Sequence, residues 1–239
     1  MKRTPLLALA ATLLCISLPA QQARAQVDGD QLGLWNMYFY NTTFGDSRWG
    51  LQGDFQYRLW DTSLGGDLEQ LLLRSGFTYR PKSMDNVLLT LGYANITTGA
   101  FGDGTGPRTV EDRIYQEALI SQTLGERVFL RHRFRYEQRW VENQDFRTRF
   151  RYALFADIPL NGTDLKRGAW YLSLYNEIFI NGEKDIGDGR EVEYFDRNRT
   201  YGAIGYSIRD NLRTQFGYMW QETDNLGKGQ LQLSLHHAF

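Results

Sequence analysis

Residues 127–141 read Arg127-Val128-Phe129-Leu130-Arg131-His132-Arg133-Phe134-Arg135-Tyr136-Glu137-Gln138-Arg139-Trp140-Val141. Successive side chains of an extended strand point to opposite faces. One face of this segment therefore carries Val128, Leu130, His132, Phe134, Tyr136, Gln138 and Trp140. The other carries Arg131, Arg133, Arg135, Glu137 and Arg139. The period is two rather than 3.6, which is the signature of a strand with one oily and one charged side.

The same alternation continues outward in both directions. In 147–159, Phe150, Tyr152, Leu154, Ala156 and Ile158 oppose Arg147, Arg149, Arg151, Ala153, Phe155 and Asp157. In 195–208, Ile204, Tyr206 and Ile208 oppose Arg197, Arg199, Tyr201 and Ala203. No helical period persists after the first 25 residues. The candidate strands are 31–43, 47–60, 67–80, 86–98, 111–124, 127–141, 147–159, 168–181, 195–208, 212–223 and 229–239. Each is long enough for a tilted strand to cross a bilayer, which takes roughly 9–11 residues. Short connections (44–46, 81–85, 125–126, 209–211) contrast with longer ones rich in Gly and Asp (98–110, 181–194). Short turns at one rim and long loops at the other are the outer-membrane pattern.

A soluble β-sandwich or lipocalin also alternates, but turns its oily face inward. Three features favour the inverse. Leu231, Leu233, Leu235, His237 and Phe239 share one face of the last segment, and a strand ending in an aromatic resembles the signal read by the outer-membrane assembly machinery. Trp140, Trp170 and Trp220 fall near strand ends, where amphipathic rings meet headgroups. Trp60 is on the opposite parity and either faces inward or follows a bulge. Finally, Arg113, Arg127, Arg131, Arg133, Arg135, Arg139, Arg147, Arg149 and Arg151 crowd into 113–151. Such a stripe suits a narrow lumen, where forked guanidinium bonds reach carboxylates; Glu117, Glu137, Asp157 and Glu177 are the candidate partners. The expected fold is an all-β, antiparallel transmembrane barrel of about 10–12 strands. Bacterial barrels usually have an even count. The count of candidates is odd, so either 31–43 is not a full strand, leaving ten, or one strand is missed or merged.

The first 25 residues read as a cleavable signal peptide: Lys2 and Arg3, an apolar run from Pro5 to Ala20, and the small-x-small triplet Ala23-Arg24-Ala25. Residues 26–239 form the expected barrel, without internal repeat or linker. Cys15 is the sole cysteine and lies inside the leader, after Leu14 rather than the small residue a lipidation site needs. Cleavage removes three cations and no acid, moving the net charge from −1 to −4. That balance gives no reason to expect nucleic acid. The expected location is the outer membrane of a Gram-negative bacterium, reached through the periplasm, with lipid and the assembly machinery as partners and a monomeric state.

Four segments together resemble a known family. They are Asp112-Arg113-Ile114-Tyr115-Gln116, 131–139, Tyr171-Leu172-Ser173-Leu174-Tyr175-Asn176-Glu177 and Phe195-Asp196-Arg197-Asn198-Arg199. Their order and spacing are similar to an uncharacterised Gram-negative outer-membrane family, the domain of unknown function numbered 2490. The resemblance implies a barrel and its location and supplies no activity.

The candidate site is the lumen charge network: Arg113, Glu117, Arg131, Arg133, Arg135, Glu137, Arg139, Arg147, Arg149, Arg151, Tyr171, Tyr175, Glu177, Arg197 and Arg199. Rows of guanidinium suit carboxylate or phosphate, which points to a narrow porin-like or anion-binding interior. Arginine–carboxylate pairs also fill a small barrel as a purely structural network. An enzyme acting on lipid or envelope glycan is the runner-up, carried by Ser234 and His236 on one face, without an evident carboxylate to orient the imidazole; His132 and His237 complete the histidines. A soluble periplasmic barrel binding an apolar ligand comes third. Asp103, Glu183, Asp185 and Asp188 fit no complete calcium loop, no Cys/His set suggests zinc, and neither metal nor cofactor is expected.

Overall fold

The computed structural model describes residues 29–63, 66–100 and 106–239. The leader, Cys15 and Asp103 lie outside them. Among the described residues there is no helix, and eleven strands follow one another: β1 (Gly33–Thr43), β2 (Trp49–Leu59), β3 (Leu68–Tyr79), β4 (Val87–Thr98), β5 (Thr109–Leu124), β6 (Val128–Val141), β7 (Arg147–Pro159), β8 (Trp170–Asn181), β9 (Phe195–Arg209), β10 (Leu212–Glu222) and β11 (Gly227–Ala238). Each falls on a segment expected from the alternation.

Sequence neighbours pair antiparallel, and the sheet closes on itself when β1 meets β11. That last pair is parallel, from Gly33 opposite Gln230 to Asn41 opposite Ala238. Two expectations are corrected here. The barrel is not antiparallel throughout, and 31–43 is neither partial nor evidence of a missed strand. The reason is parity: in an up-and-down sheet with an odd count, the first and last strands run the same way. Their exposed edges have only each other to bond, and closure removes the unpaired N–H and C=O groups at the cost of a slightly weaker parallel ladder.

One rim, here the turn rim, carries the connections 44–48, 80–86, 125–127, 160–169 and 210–211. The opposite, loop rim carries 60–67, 99–108, 142–146, 182–194 and 223–226. The expected contrast in length is therefore partial: the turn rim includes the ten-residue connection 160–169, and the loop rim includes the short return 223–226. The longest loop, 182–194, is tied down by Glu183, which accepts from the Thr148 hydroxyl at 3.0 Å, and by an Asp185–Glu191 bridge. In the same loop Lys184 pairs with Glu193 at 3.0 Å, which holds its ammonium above the ordinary lysine range.

The sheet is inside-out. Phe134, Phe150 and Phe77 are 49%, 54% and 64% exposed on the outer face, whereas Glu137 and Arg149 are 1% and 3% exposed within. Trp49 and Trp170 stand outward at the turn rim, and Trp140 and Trp220 outward at the loop rim. Trp60 follows a register shift at Arg58/Leu59, and its indole N–H donates to the Ala100 carbonyl at 3.1 Å. Inside, two tyrosines lie over glycines of the neighbouring strand. A Cβ on Gly92 would stand 2.2 Å from the Tyr115 ring, and one on Gly205 would stand 2.2 Å from the Tyr171 ring. Only glycine at these in-register positions lets the phenol cross the sheet so closely.

Candidate lumen site

The inward residues of β5, β6, β7 and β8 assemble the densest charge in the molecule. Their period-two spacing stacks side chains up the wall, and strand pairing sets arginine rows beside carboxylates: Arg135 is opposite Glu117, and Arg149 opposite Glu137. Glu137 is the hub. It accepts from Arg149 and Arg151, each at 2.6 Å, with Arg113 and Arg135 at 3.8 Å. Glu177 accepts from Arg133 at 2.7 Å and Arg151 at 2.6 Å. Glu117 accepts from the Nε of Arg135 at 2.7 Å and the amide of Gln52 at 2.9 Å. Glu111 joins Arg113 and Arg139, each at 2.5 Å. Nearer the turn rim, Asp157 takes Arg131 at 2.9 Å and the Ser173 hydroxyl at 2.7 Å.

Aromatic rings pack among these charges. Phe179, fully covered, meets the guanidiniums of Arg151 at 4.3 Å, Arg199 at 4.8 Å and Arg149 at 5.1 Å. The Tyr171 hydroxyl accepts from Gln215 at 3.2 Å, and Tyr175 stacks on Tyr201 at 4.7 Å. Arg197 pairs with its neighbour Asp196 at 3.0 Å, and Asp196 in turn takes Arg149 at 2.6 Å.

The charge does not balance. Among the described residues, an interior cavity of about 720 Å³ is lined by fourteen arginines and four carboxylates, and Glu69, Glu137, Asp157 and Asp196 behind that lining bring the interior acids only to eight. Among the described residues, some of these arginines form no ion pair. Arg147 is buried with an Nε that finds no partner. Among the described residues Arg58 hydrogen-bonds to Gln56 and Gln70 alone, and Arg199 to Gln221 alone.

A family model described as a protein of unknown function (DUF2490) matches residues 32–232. The chain belongs to the DUF2490 family. No curated protein and no solved structure matches it. The matched stretch takes in β1 to β10 and the first half of β11 of this DUF2490 barrel, and with them the arginine–glutamate network of β5 to β9.

All fifteen residues singled out from the sequence line or brace the interior, and the arginine–glutamate core joins most of them directly. Several residues of the site were not singled out. Asp54, Gln56 and Arg58 of β2, Arg74 of β3 and Trp35 of β1 complete the wall opposite the arginine rows. Asp54 pairs with Arg74 at 2.8 Å. The signal for β2 lay in the alternation of Gln52, Asp54, Gln56 and Arg58 against Leu51, Phe55 and Tyr57. The turn-rim end of the lumen holds Ser234, whose hydroxyl lies 3.0 Å from His236 Nε2, and the imidazole stacks on Phe39 at 4.7 Å. No carboxylate is hydrogen-bonded to that imidazole among the described residues, so nothing orients it as a general base. Among the described residues no three His, Cys, Asp or Glu side chains converge as a metal site.

Proposed function

We propose that this chain is a non-enzymatic outer-membrane barrel whose lumen admits and holds small anions, a narrow porin-like protein rather than a purely structural one. The observation that carries this reading is the excess of arginine around the interior cavity, fourteen arginines in its lining against eight interior carboxylates (Asp54, Glu69, Glu111, Glu117, Glu137, Asp157, Glu177 and Asp196) among the described residues. A network that served only to fill the barrel would be neutralised within itself, because an uncompensated buried charge is costly. A cavity lined by one sign focuses the field and concentrates counter-ions of the other sign. Ring-like arrays of Arg and Lys are the usual means of anion selection in pores.

The outer face supports placement in a bilayer. Strands of 11–16 residues are long enough to cross, and indoles mark both rims. Polar side chains on that face bond sideways to each other: Asn176 to Asn198 at 2.8 Å, Gln116 to Gln138 at 3.2 Å, and Asn95 to Asp112 at 2.9 Å. Such pairing satisfies polar groups where water is scarce.

The test has two arms. The detergent-extracted protein should migrate anomalously on gels until heated, and its recovery in the soluble periplasmic fraction without detergent would refute the membrane reading. In a planar bilayer under a salt gradient, the reversal potential should report anion preference, reduced in the Arg133→Ala, Arg149→Ala double variant. Absence of current at any voltage would return the lumen to a structural plug.

A further inference from the structure

Trp35 sits near the loop-rim end of the lumen wall, 2% exposed, with its indole N–H donated to Glu69 at 2.8 Å. Two guanidiniums lie against its ring: Arg58 at 3.8 Å and Arg199 at 5.0 Å from the ring centre. Both arginines are buried and both line the cavity. Among the described residues neither makes a salt bridge within 4.0 Å. Instead, amide oxygens hold them: Gln56 and Gln70 on Arg58 at 2.6 Å, and Gln221 on Arg199 at 2.8 Å. An amide oxygen orients a guanidinium without cancelling its charge. This differs from Arg149 and Arg151, each of which is shared between two acids. The terminal nitrogens of Arg199 make no hydrogen bond among the described residues. Glu69 and Asp54 attract Arg58 and Glu177 attracts Arg199 from a distance, but no carboxylate closes an ion pair on either, so two like charges are fixed near one indole with donors left for an anion.

The wall beside this pair is aromatic. Tyr175 and Tyr201 stack on each other, and both pack with Trp35 in one cluster. Among the described residues the buried Tyr201 hydroxyl has no partner, and the Tyr175 hydroxyl is held by Gln232 at 3.3 Å. A flat or sugar ring laid against such phenols gains stacking area, and its hydroxyls find donors and acceptors there.

We infer that Arg58 and Arg199, clasped against Trp35, bind the anionic group of a small ring-bearing organic anion, a sugar acid or sugar phosphate, whose ring rests on the Tyr175–Tyr201 wall. The inference rests on the anion-admitting lumen proposed above and names its ligand class and its site. The carboxylate or phosphate accepts forked hydrogen bonds from the two guanidiniums.

Calorimetry on the full chain in detergent micelles tests it, with glucuronate, glucose 6-phosphate, inorganic phosphate and glucose as probes. Both ring anions should bind, glucose should not, and inorganic phosphate should bind more weakly than glucose 6-phosphate. Arg58→Gln and Arg199→Gln should each weaken the ring anions by about tenfold or more. Heat-shifted gel migration checks that each variant folds. Should a glutamine variant fail to fold, Arg58→Lys and Arg199→Lys carry the same test, since they keep the charge but lose the fork; a several-fold loss is expected. Binding should also change tryptophan fluorescence, and the change should vanish in Trp35→Phe. Unaltered affinity in the variants, or glucose binding as tightly as glucuronate, overturns the site. Inorganic phosphate binding as tightly as glucose 6-phosphate overturns the role of the aromatic wall. These failures leave anion preference in the bilayer untouched, because the other lumen arginines remain; loss of that preference in the unaltered chain would instead remove the parent reading.

Discussion

At the scale of single residues, Glu137 organises the interior. Four guanidiniums surround it, at 2.6 Å for Arg149 and Arg151 and at 3.8 Å for Arg113 and Arg135. Removing one member of a buried ion cluster leaves the others uncompensated, which typically costs about 3–5 kcal/mol. Glu137→Gln is therefore expected to lower the denaturant midpoint of the micelle-bound protein sharply, and an unchanged midpoint would mean that the hub bears no load. Glu137 and its arginines were readable because β6 and β7 alternate cleanly. Trp35 was not: β1 carries Leu34, Met37, Tyr38, Phe39 and Tyr40 on both parities, so period alone does not separate its inner from its outer face. The meeting of Arg58 with Arg199 lay beyond sequence reading for another reason. They are 141 positions apart on β2 and β9, and only closure of the barrel brings them to one ring.

At the scale of elements, the parallel β1–β11 seam is the feature that strand-by-strand reading does not supply. Alternation locates strands; it carries no information on which edges finally bond. The general preference for even counts argued against the arrangement that forms. The register places Asn36 opposite Leu233, both on the outer face. No cysteine lies in 26–239, so an Asn36→Cys, Leu233→Cys pair gives a clean probe. Mild oxidation is expected to join the two in the folded protein, seen as a mobility change that reductant reverses. Failure to cross-link, with each single variant folded, would mean that β1 does not close on β11 in this register. The seam also contains Gln230, whose buried amide has no partner on either atom, alongside Phe39 stacked on His236. A parallel ladder is slightly less stable per residue, and hydrogen exchange of seam amides should run ahead of the β5–β6 pair.

At the scale of the whole molecule, the sheet sorts its tryptophans into two populations. Trp49 and Trp170 stand outward at one rim and Trp140 and Trp220 at the other, whereas Trp35 is enclosed. In liposomes containing brominated phospholipid, single-tryptophan variants retaining Trp170 or Trp220 should be quenched strongly, and a variant retaining Trp35 should not. Equal quenching of all three would contradict the inside-out placement. This sorting was largely legible beforehand, because the oily and charged faces were separable over most of the chain and Trp140, Trp170 and Trp220 fell near strand ends. What the faces did not give is the size of the cavity and its excess of arginine, since those depend on how many side chains reach the axis at each level.

An odd tally of strands has a vectorial outcome. Phe239 finishes beside Asn41 at the turn rim, its amide donating to the Asn41 carbonyl at 2.9 Å, while Gly33 starts β1 at the opposite rim. With the barrel across a vesicle bilayer, as proposed, epitopes grafted just ahead of β1 and just behind β11 would report to different compartments, and an impermeant protease added from outside would clip one and spare the other.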